Sequence, residues 1–92
     1  MESIRFADHS CEALCSSYVT TASCMVEMAS DWKFVLEGME YDSVDVTVSC
    51  GSIIVTLAGP RGQVMNGISS LSDGCFLLSK FGWICTPGNH SS

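Results

Sequence analysis

SVDVTVSC, residues 43–50, decides the fold, because apolar and polar side chains alternate along its whole length. Successive side chains of a β-strand point to opposite faces of the sheet, so this stretch predicts a strand with one buried face and one wet face. A turn at 50–52 leads into IIVTLA at 53–58, whose more continuous apolar character predicts a central strand. Together the two stretches predict an antiparallel hairpin.

The residues before this hairpin predict a helix. Asp8 or Ser10 can cap it, and the apolar residues that follow repeat at helical spacing over about 9–29. Those residues are Cys11, Leu14, Cys15, Tyr18, Ala22, Met25 and Ala29. A strand over 17–28 is the alternative, because this segment also alternates and contains two adjacent β-branched threonines.

Three further elements are predicted along the chain. Ser30-Asp31 interrupts the helical pattern, and WKFVLE at 32–37 predicts a strand. Gly59-Pro60-Arg61-Gly62 ends the central strand, and a helix is expected over about 63–72. The apolar residues of 75–84 predict one more element, for which helix and strand both stay open.

This order of elements predicts an α+β fold. Its sheet is expected to be antiparallel and three- to four-stranded, with helices packed on one face in the order N-terminal helix, strands, C-terminal helix. At 92 residues the chain has room for one core, so residues 1–92 are predicted to form a single domain. The polar, turn-rich residues 86–92 are expected to be a frayed tail.

The chain is acidic, with ten Asp and Glu against four Lys and Arg and a formal net charge of −6. The four bases, Arg5, Lys33, Arg61 and Lys80, are far apart in the sequence. Nucleic-acid affinity depends on several bases that neutralise phosphates, so direct nucleic-acid binding is not expected. The same acidity suits a larger protein partner with a basic patch.

The sequence also indicates a location. Every apolar run is interrupted before the roughly 18 residues that a membrane span needs, so no membrane partner is expected. The N-terminal residues 1–8 contain acids where a secretory signal would have a basic region and then an apolar one. These features predict a cytoplasmic protein.

Six cysteines, an even number, would suggest disulfides in a secreted protein. In a reducing cytoplasm they are instead expected to be mostly free thiols that pack like small apolar residues. Cys11 and Cys15 form the one close pair, and on a helix they share a face, which makes them weak candidates for two metal ligands. Since no obvious third and fourth ligands accompany them, no metal and no cofactor is predicted.

No pattern in the sequence points to catalysis. The two histidines, His9 and His90, lie near opposite ends, and the chain contains no G-x-S-x-G stretch. The glycine-rich turn at 59–62 lacks the Gly-Lys-Ser/Thr ending of a phosphate-binding loop, and a strand-to-helix turn explains it. The protein is therefore predicted not to be an enzyme.

The densest acidic run surrounds one aromatic residue and is the predicted partner-binding site. Its members are Glu37, Glu40, Tyr41, Asp42 and Asp45. A solvated loop and an acidic docking surface both explain the acids, and aromatic residues are enriched at interface hot spots. Core positions are expected for the aromatic residues Trp32, Phe76, Phe81 and Trp83.

These observations favour a small non-enzymatic protein-binding module, an inhibitor or adaptor, that uses residues 37–45. If the basic patch of its partner normally holds nucleic acid, the acids would mimic phosphates, as in phage-encoded anti-defence proteins that inhibit nucleic-acid machinery. Two alternatives stay open: a metal- or thiol-dependent protein that uses Cys11 and Cys15, and a subunit of a homo-oligomer. A mean hydropathy of +0.31 in so short a chain supports the latter, because a small core buries little apolar surface.

Overall fold

The alternating stretch forms the predicted hairpin. In the computed structural model, which describes residues 1–85, β2 (Asp45–Ser49) and β3 (Ser52–Ala58) pair antiparallel in unbroken register. Every second residue of β3 is fully buried, namely Ile53, Val55 and Leu57. The opposite face of the hairpin is wet, as the alternation predicts, and Thr47 is exposed on it.

β1 (Glu2–Ser10) is a third strand that the sequence pattern does not predict. It pairs antiparallel with β3, and its register is irregular between Phe6 and Ser10. The sheet order is therefore β1-β3-β2, with β3 in the centre as expected. Only Ile4 and Phe6 of β1 pack against the core, so the alternation is too short to recognise and the pairing with β3 specifies the strand.

The helix predicted over 9–29 has the wrong boundaries, because two helices occupy this part of the chain. α1 (Cys11–Leu14) is a single turn, and α2 (Thr21–Gly38) begins after the N-cap Thr20. This β-branched residue is extended, with φ −130° and ψ 151°, and its hydroxyl accepts a hydrogen bond from a backbone N–H of the first turn. The alternative strand over 17–28 is also wrong.

The strand predicted over 32–37 is wrong as well, since α2 runs through it. A stripe of every fourth residue along α2 is fully buried, namely Cys24, Met28, Trp32 and Leu36. Burial of this face outweighs the local β preference of the aromatic and β-branched residues. Asp31 does not break the helix. Its carboxylate accepts hydrogen bonds from Ser79 Oγ and from the Lys80 backbone N–H, both at 3.1 Å.

The last part of the described chain is a helix followed by a second hairpin. α3 (Arg61–Leu71) confirms the helix expected over 63–72. The open element at 75–84 consists of β4 (Cys75–Leu78) and β5 (Gly82–Cys85), an antiparallel pair separate from the main sheet. The structure therefore adds two features to the predicted order of elements: β1 at the start and this second hairpin at the end.

The buried Trp32 of α2 links the main sheet to the second hairpin. It stacks on Phe6 of β1 with ring centroids 5.2 Å apart and meets Phe76 of β4 in an edge-on arrangement at 5.6 Å. α3 packs closely at Gly67, where an added Cβ would lie 3.0 Å from Leu57 Cδ1. Both helices therefore cover the face of the sheet on which Leu57 is buried.

The α+β fold class is confirmed: a three-stranded antiparallel sheet carries helices on one face and is accompanied by a two-stranded sheet. None of the helices within residues 1–85 is both long and apolar enough to cross a membrane. The frayed tail predicted at 86–92 lies outside the described residues.

The cysteines correct the expectation of free thiols. All six form disulfides, which are Cys11–Cys50, Cys15–Cys24 and Cys75–Cys85. The first joins the start of α1 to the residue that follows β2, the second joins the residue that follows α1 to α2, and the third joins β4 to β5 at residues that are partners in register. Each pair meets through the fold, so the spacing of cysteines along the sequence does not reveal it.

Candidate protein-binding site

The five residues predicted to bind a partner lie where α2 gives way to β2. Glu37 is in the last turn of α2, Asp45 is the first residue of β2, and Glu40, Tyr41 and Asp42 lie between the two elements. We call residues 37–45 the acidic segment. Its four carboxylate side chains are exposed, whereas Tyr41 is half-buried.

The end of α2 fixes the backbone of the acidic segment. The N–H of Tyr41 donates to the carbonyl of Leu36, and the N–H of Glu40 donates to that of Glu37, each at 2.9 Å. These bonds form a Schellman motif, in which one residue adopts a left-handed conformation. That residue is Glu40, with φ of 70°. Glycine is usual at this position, and a residue with a Cβ is destabilised there by roughly 1–2 kcal/mol.

Lys33 ties the acidic segment to α2. Its ammonium donates to the backbone carbonyl of Asp42 at 3.0 Å and also to that of Val44. Both acceptors are main-chain oxygens, so this base holds the shape of the connection and forms no bond with the carboxylates. Hydrogen bonds from a charged donor are among the stronger ones in proteins.

The end of β3 braces the same connection. Gly59 has φ of 148° and lies so close to Ser43 that an added Cβ would be 2.8 Å from the Ser43 carbonyl oxygen. Gln63 of α3 accepts a hydrogen bond from the Ser43 N–H at 3.3 Å. Only glycine fits so close an approach in this backbone conformation. The acidic side chains therefore project from a connection that α2, β3 and α3 hold in place.

Tyr41 is the one member of the predicted site that turns inward. It packs against the core beside Leu36, and both side chains lie within 4 Å of the place that a Cβ would take on Gly67. The structure thus gives Tyr41 a packing role between the end of α2 and α3. Its use as a partner contact stays a prediction.

The four carboxylates of the acidic segment have no cation partner within residues 1–85, where the single ion pair joins Lys80 to Glu27. The last turn of α2 also contains no basic residue. A helix C-terminus carries a partial negative charge of about half an elementary charge, so α2 adds to the negative field of the carboxylates. Lys33 reaches this segment only through its bonds to main-chain carbonyls, those of Asp42 and Val44.

An apolar groove of about 380 Å³ runs between α2 and β2, and its β2 lining begins at Val46, the residue that follows the acidic segment. It is lined by Ala22, Met25, Val26 and Ala29 of α2 and by Val46, Thr47 and Val48 of β2. The α2 residues recur at helical spacing and form a second apolar stripe next to the buried one. Val26 is 70% exposed. The groove therefore presents apolar surface along the strand at the edge of the sheet.

Likeness to other proteins does not assign this site. The chain matches no protein family model, no curated protein and no solved structure. Its function is therefore inferred from the chemistry of the site: carboxylates without partners on a braced connection, next to an apolar groove.

The second hairpin exposes an apolar pair that sequence reasoning missed. Leu77 and Trp83 are partners across β4 and β5, with exposed fractions of 57% and 64%. The expected core position of Trp83 is therefore wrong. Phe76 and Ile84, on the other face of the hairpin, pack inward instead. The alternation of a two-stranded ribbon could have indicated this, had 75–84 been recognised as strands.

Cys11 and Cys15, the weak metal candidates, belong to two different disulfides. Metal binding and nucleophilic chemistry both require a thiolate, which a disulfide sulfur is not. A metal- or thiol-dependent function of these residues would therefore require reduction of both bonds. In the part of the chain that the structure describes, no three His, Cys, Asp or Glu side chains converge as metal ligands.

Proposed function

We propose that this protein is a small binding module that engages a basic surface of a larger protein through the acidic segment. One observation carries the proposal: four exposed carboxylates lie at the end of α2, on the connection to β2 and at the start of β2, and none has a cation partner among residues 1–85. Like charges on one stretch of surface repel one another and reduce the stability of a fold. A basic partner removes this repulsion, so the arrangement favours binding rather than folding.

The backbone supports the same proposal. Glu40 occupies a left-handed conformation in which glycine would be less strained. Such strain persists only where the surroundings impose it, and it is frequent at functional positions. At the end of α2 this strain accompanies an exposed carboxylate.

We further infer that the protein works in an oxidising environment. Three disulfides persist where thiols are not kept reduced, and the cytoplasm of most cells is reducing. The disulfides therefore weigh against the cytoplasmic location that the sequence indicates, which stays a prediction. Titration of free thiols in protein purified without reductant distinguishes the oxidising location from the cytoplasmic one. We expect no free thiol, and six free thiols per chain would support the cytoplasmic prediction.

Phosphate mimicry, the absence of catalytic activity and homo-oligomerisation stay predictions. The first two can be tested once a partner has been captured. If the carboxylates mimic phosphates, as in an anti-defence inhibitor, then DNA or RNA should compete with this protein for the captured partner. A protein without catalytic activity should leave that partner chemically unchanged. A homo-oligomer would elute in sizing chromatography at a multiple of 9.9 kDa.

The main proposal is tested by affinity capture of the tagged protein from a lysate of its native host, washed at low and at high salt. We expect a basic partner whose retention falls at high salt, because salt screens exposed charges. The triple variant Glu40→Lys, Asp42→Lys, Asp45→Lys should lose the partner while it keeps its fold. Mass spectrometry identifies the partner, and circular dichroism checks the fold.

A second triple variant controls for net charge. Glu2→Lys, Glu12→Lys and Asp73→Lys change three exposed acids outside the acidic segment. Each triple variant moves the formal net charge from −6 to zero, because three reversals add six charges. The control should retain the partner. Equal loss from both variants, or retention by the acidic-segment variant, would contradict the proposal.

A further inference from the structure

β2 is an open edge of the sheet. It pairs with β3 on one side, and no strand within residues 1–85 lies on its other side. Sheet edges are commonly protected by lysine, proline or a bulge. The β2 sequence DVTVS contains neither residue, its one charged side chain is that of Asp45 at the first position, and its register with β3 is unbroken. The opposite edge differs, because the register of β1 is irregular between Phe6 and Ser10.

The apolar groove lies directly beside this open edge. Val46 and Val48 of β2 form one side of it, and Met25 and Val26 of α2 form the other. In strand addition, an extended segment pairs its backbone with a sheet edge and places alternate side chains into neighbouring pockets. Here β2 offers the backbone partners, and the groove offers the place for the side chains.

The dimensions of the groove set the length of the segment. Ala22 to Ala29 spans seven residue steps of α2, which is about 10 Å at 1.5 Å per residue. Side chains on one face of an extended segment are about 6.6 Å apart. The groove therefore suits two apolar side chains at positions i and i+2.

The acidic segment determines the charge of the occupant. It lies where β2 begins, and Glu37 is eleven residues past Val26, about three turns along the same side of α2. A segment in the groove therefore has one end close to carboxylates that lack cation partners. Basic residues at that end would neutralise them. A second copy of this chain would instead bring Asp45 and no base in its own β2.

We propose that the groove binds an extended segment of a partner protein, which pairs with β2, places two apolar side chains between α2 and β2, and sets basic residues against the acidic segment. This inference rests on the proposed function, because it uses the acidic segment as the contact for the basic residues. It adds the binding mode and the kind of sequence that is recognised.

The probes are two synthetic heptapeptides, capped at both ends, in which valine alternates with threonine over five positions. Two lysines follow the alternating part in one peptide and precede it in the other, so that antiparallel and parallel pairing are both covered. Matched peptides carry two glutamates in place of the lysines. By fluorescence polarisation, we expect one lysine peptide to bind at least about tenfold more tightly than its glutamate counterpart.

Two changes test the groove and the edge separately. Val26→Glu places a charge in the groove and should weaken binding of the lysine peptide at least about tenfold. Val19→Glu makes the same change at a valine that is 99% exposed and does not line the groove, and it should leave the affinity unchanged. N-methylation of one alternate set of peptide residues should abolish binding, because it removes the N–H groups that face β2, whereas methylation of the other set should be tolerated.

Equal affinities of the two valine variants, together with insensitivity to N-methylation, would overturn this inference. The proposed function would then survive if reversal of the acidic segment still released the captured partner. Equal binding of the lysine and glutamate peptides would overturn the inference that the bound segment carries basic residues. If the protein were a dimer and Val26→Glu converted it to a monomer, a second copy of the chain would fill the groove. That result would also overturn the proposal of a partner segment.

Discussion

The two sides of α2 use acidic residues in opposite ways. Towards the second hairpin, Glu27 pairs with Lys80, and the Asp31 carboxylate accepts hydrogen bonds from Ser79 Oγ and the Lys80 backbone N–H. Towards β2, the carboxylates of the acidic segment have no cation partner in the described structure. The same residue types therefore hold the fold together on one side and present free charge on the other.

This difference shows that contacts, rather than the number of acids, locate a candidate site. A carboxylate that accepts hydrogen bonds contributes to folding, and its removal leaves its donors without a partner. A carboxylate without partners contributes little to folding, so its removal should affect binding alone. Substitutions of the same type should therefore lower stability on the side of the second hairpin and weaken partner binding on the side of β2.

The largest expected effect compares the disulfide that joins α1 to the chain just after β2 with the one that joins the two strands of the second hairpin. Replacing Cys11 and Cys50 by Ser opens a link across 39 residues and should lower the free energy of unfolding by about 4 kcal/mol. Replacing Cys75 and Cys85 opens a link across 10 residues and should lower it by about 3 kcal/mol, because the shorter loop restricts the unfolded chain less. Urea denaturation measures both, and a larger loss in the second hairpin would contradict the comparison.

A pair of isosteric changes tests the comparison directly. Asp31→Asn removes the charge from an acceptor of two hydrogen bonds and should lower the free energy of unfolding by about 1.5 kcal/mol. Asp42→Asn removes a charge whose carboxylate has no such bonds and should change stability by less than about 0.5 kcal/mol. Thermal unfolding in parallel measures the difference. Equal changes in stability for Asp31→Asn and Asp42→Asn would contradict the difference between the two sides of α2.

Glu40→Gly sharpens the interpretation of the acidic segment. It relieves the left-handed strain, so the free energy of unfolding should rise by about 1 kcal/mol, while loss of the carboxylate weakens partner binding. Glu40→Ala is the matched control, because it removes the charge and keeps the Cβ. Denaturant midpoints separate the two variants. If alanine stabilised the fold as much as glycine, charge repulsion rather than backbone strain would be the cause.

The smallest expected effect concerns pH on the hairpin side. Glu27 raises the pKa of Lys80 above its ordinary value, first by a hydrogen bond and then by its charge. A base with a raised pKa stabilises the fold below its ordinary pKa, and this contribution is lost as pH rises through the raised value. Because Lys80 is exposed, the contribution is small. An NMR titration of Lys80 should show a lower pKa in Glu27→Gln than in the parent protein, and identical values would contradict the pairing.

Local pattern suffices to predict β2, β3 and α3, because each has clear periodicity and a glycine-containing boundary. It fails where distant contacts decide the structure. β1 depends on pairing with β3, and α2 extends over 32–37 because Trp32 and Leu36 continue a buried stripe. The second hairpin is ambiguous in sequence, since short apolar runs suit helices and strands alike.

The candidate site likewise has a part that the sequence predicts and a part that only the fold reveals. The acidic residues are neighbours in sequence, so their clustering can be predicted before the fold is known. The groove cannot, because α2 and β2 come together only in the folded chain. Nor does the sequence reveal that Lys33 bonds to main-chain carbonyls and leaves the carboxylates unpaired. The burial of Tyr41 also could not be predicted. Its place among acidic residues suggests exposure, but in the fold it is half-buried.

The most direct test of the central claim is a hydrogen–deuterium exchange footprint of the captured partner on this protein. The account predicts protection of residues 37–49 and of the α2 residues that line the groove, with β4 and β5 unchanged. Protection confined to the second hairpin around Leu77 and Trp83, with 37–49 exchanging as in the free protein, would contradict it.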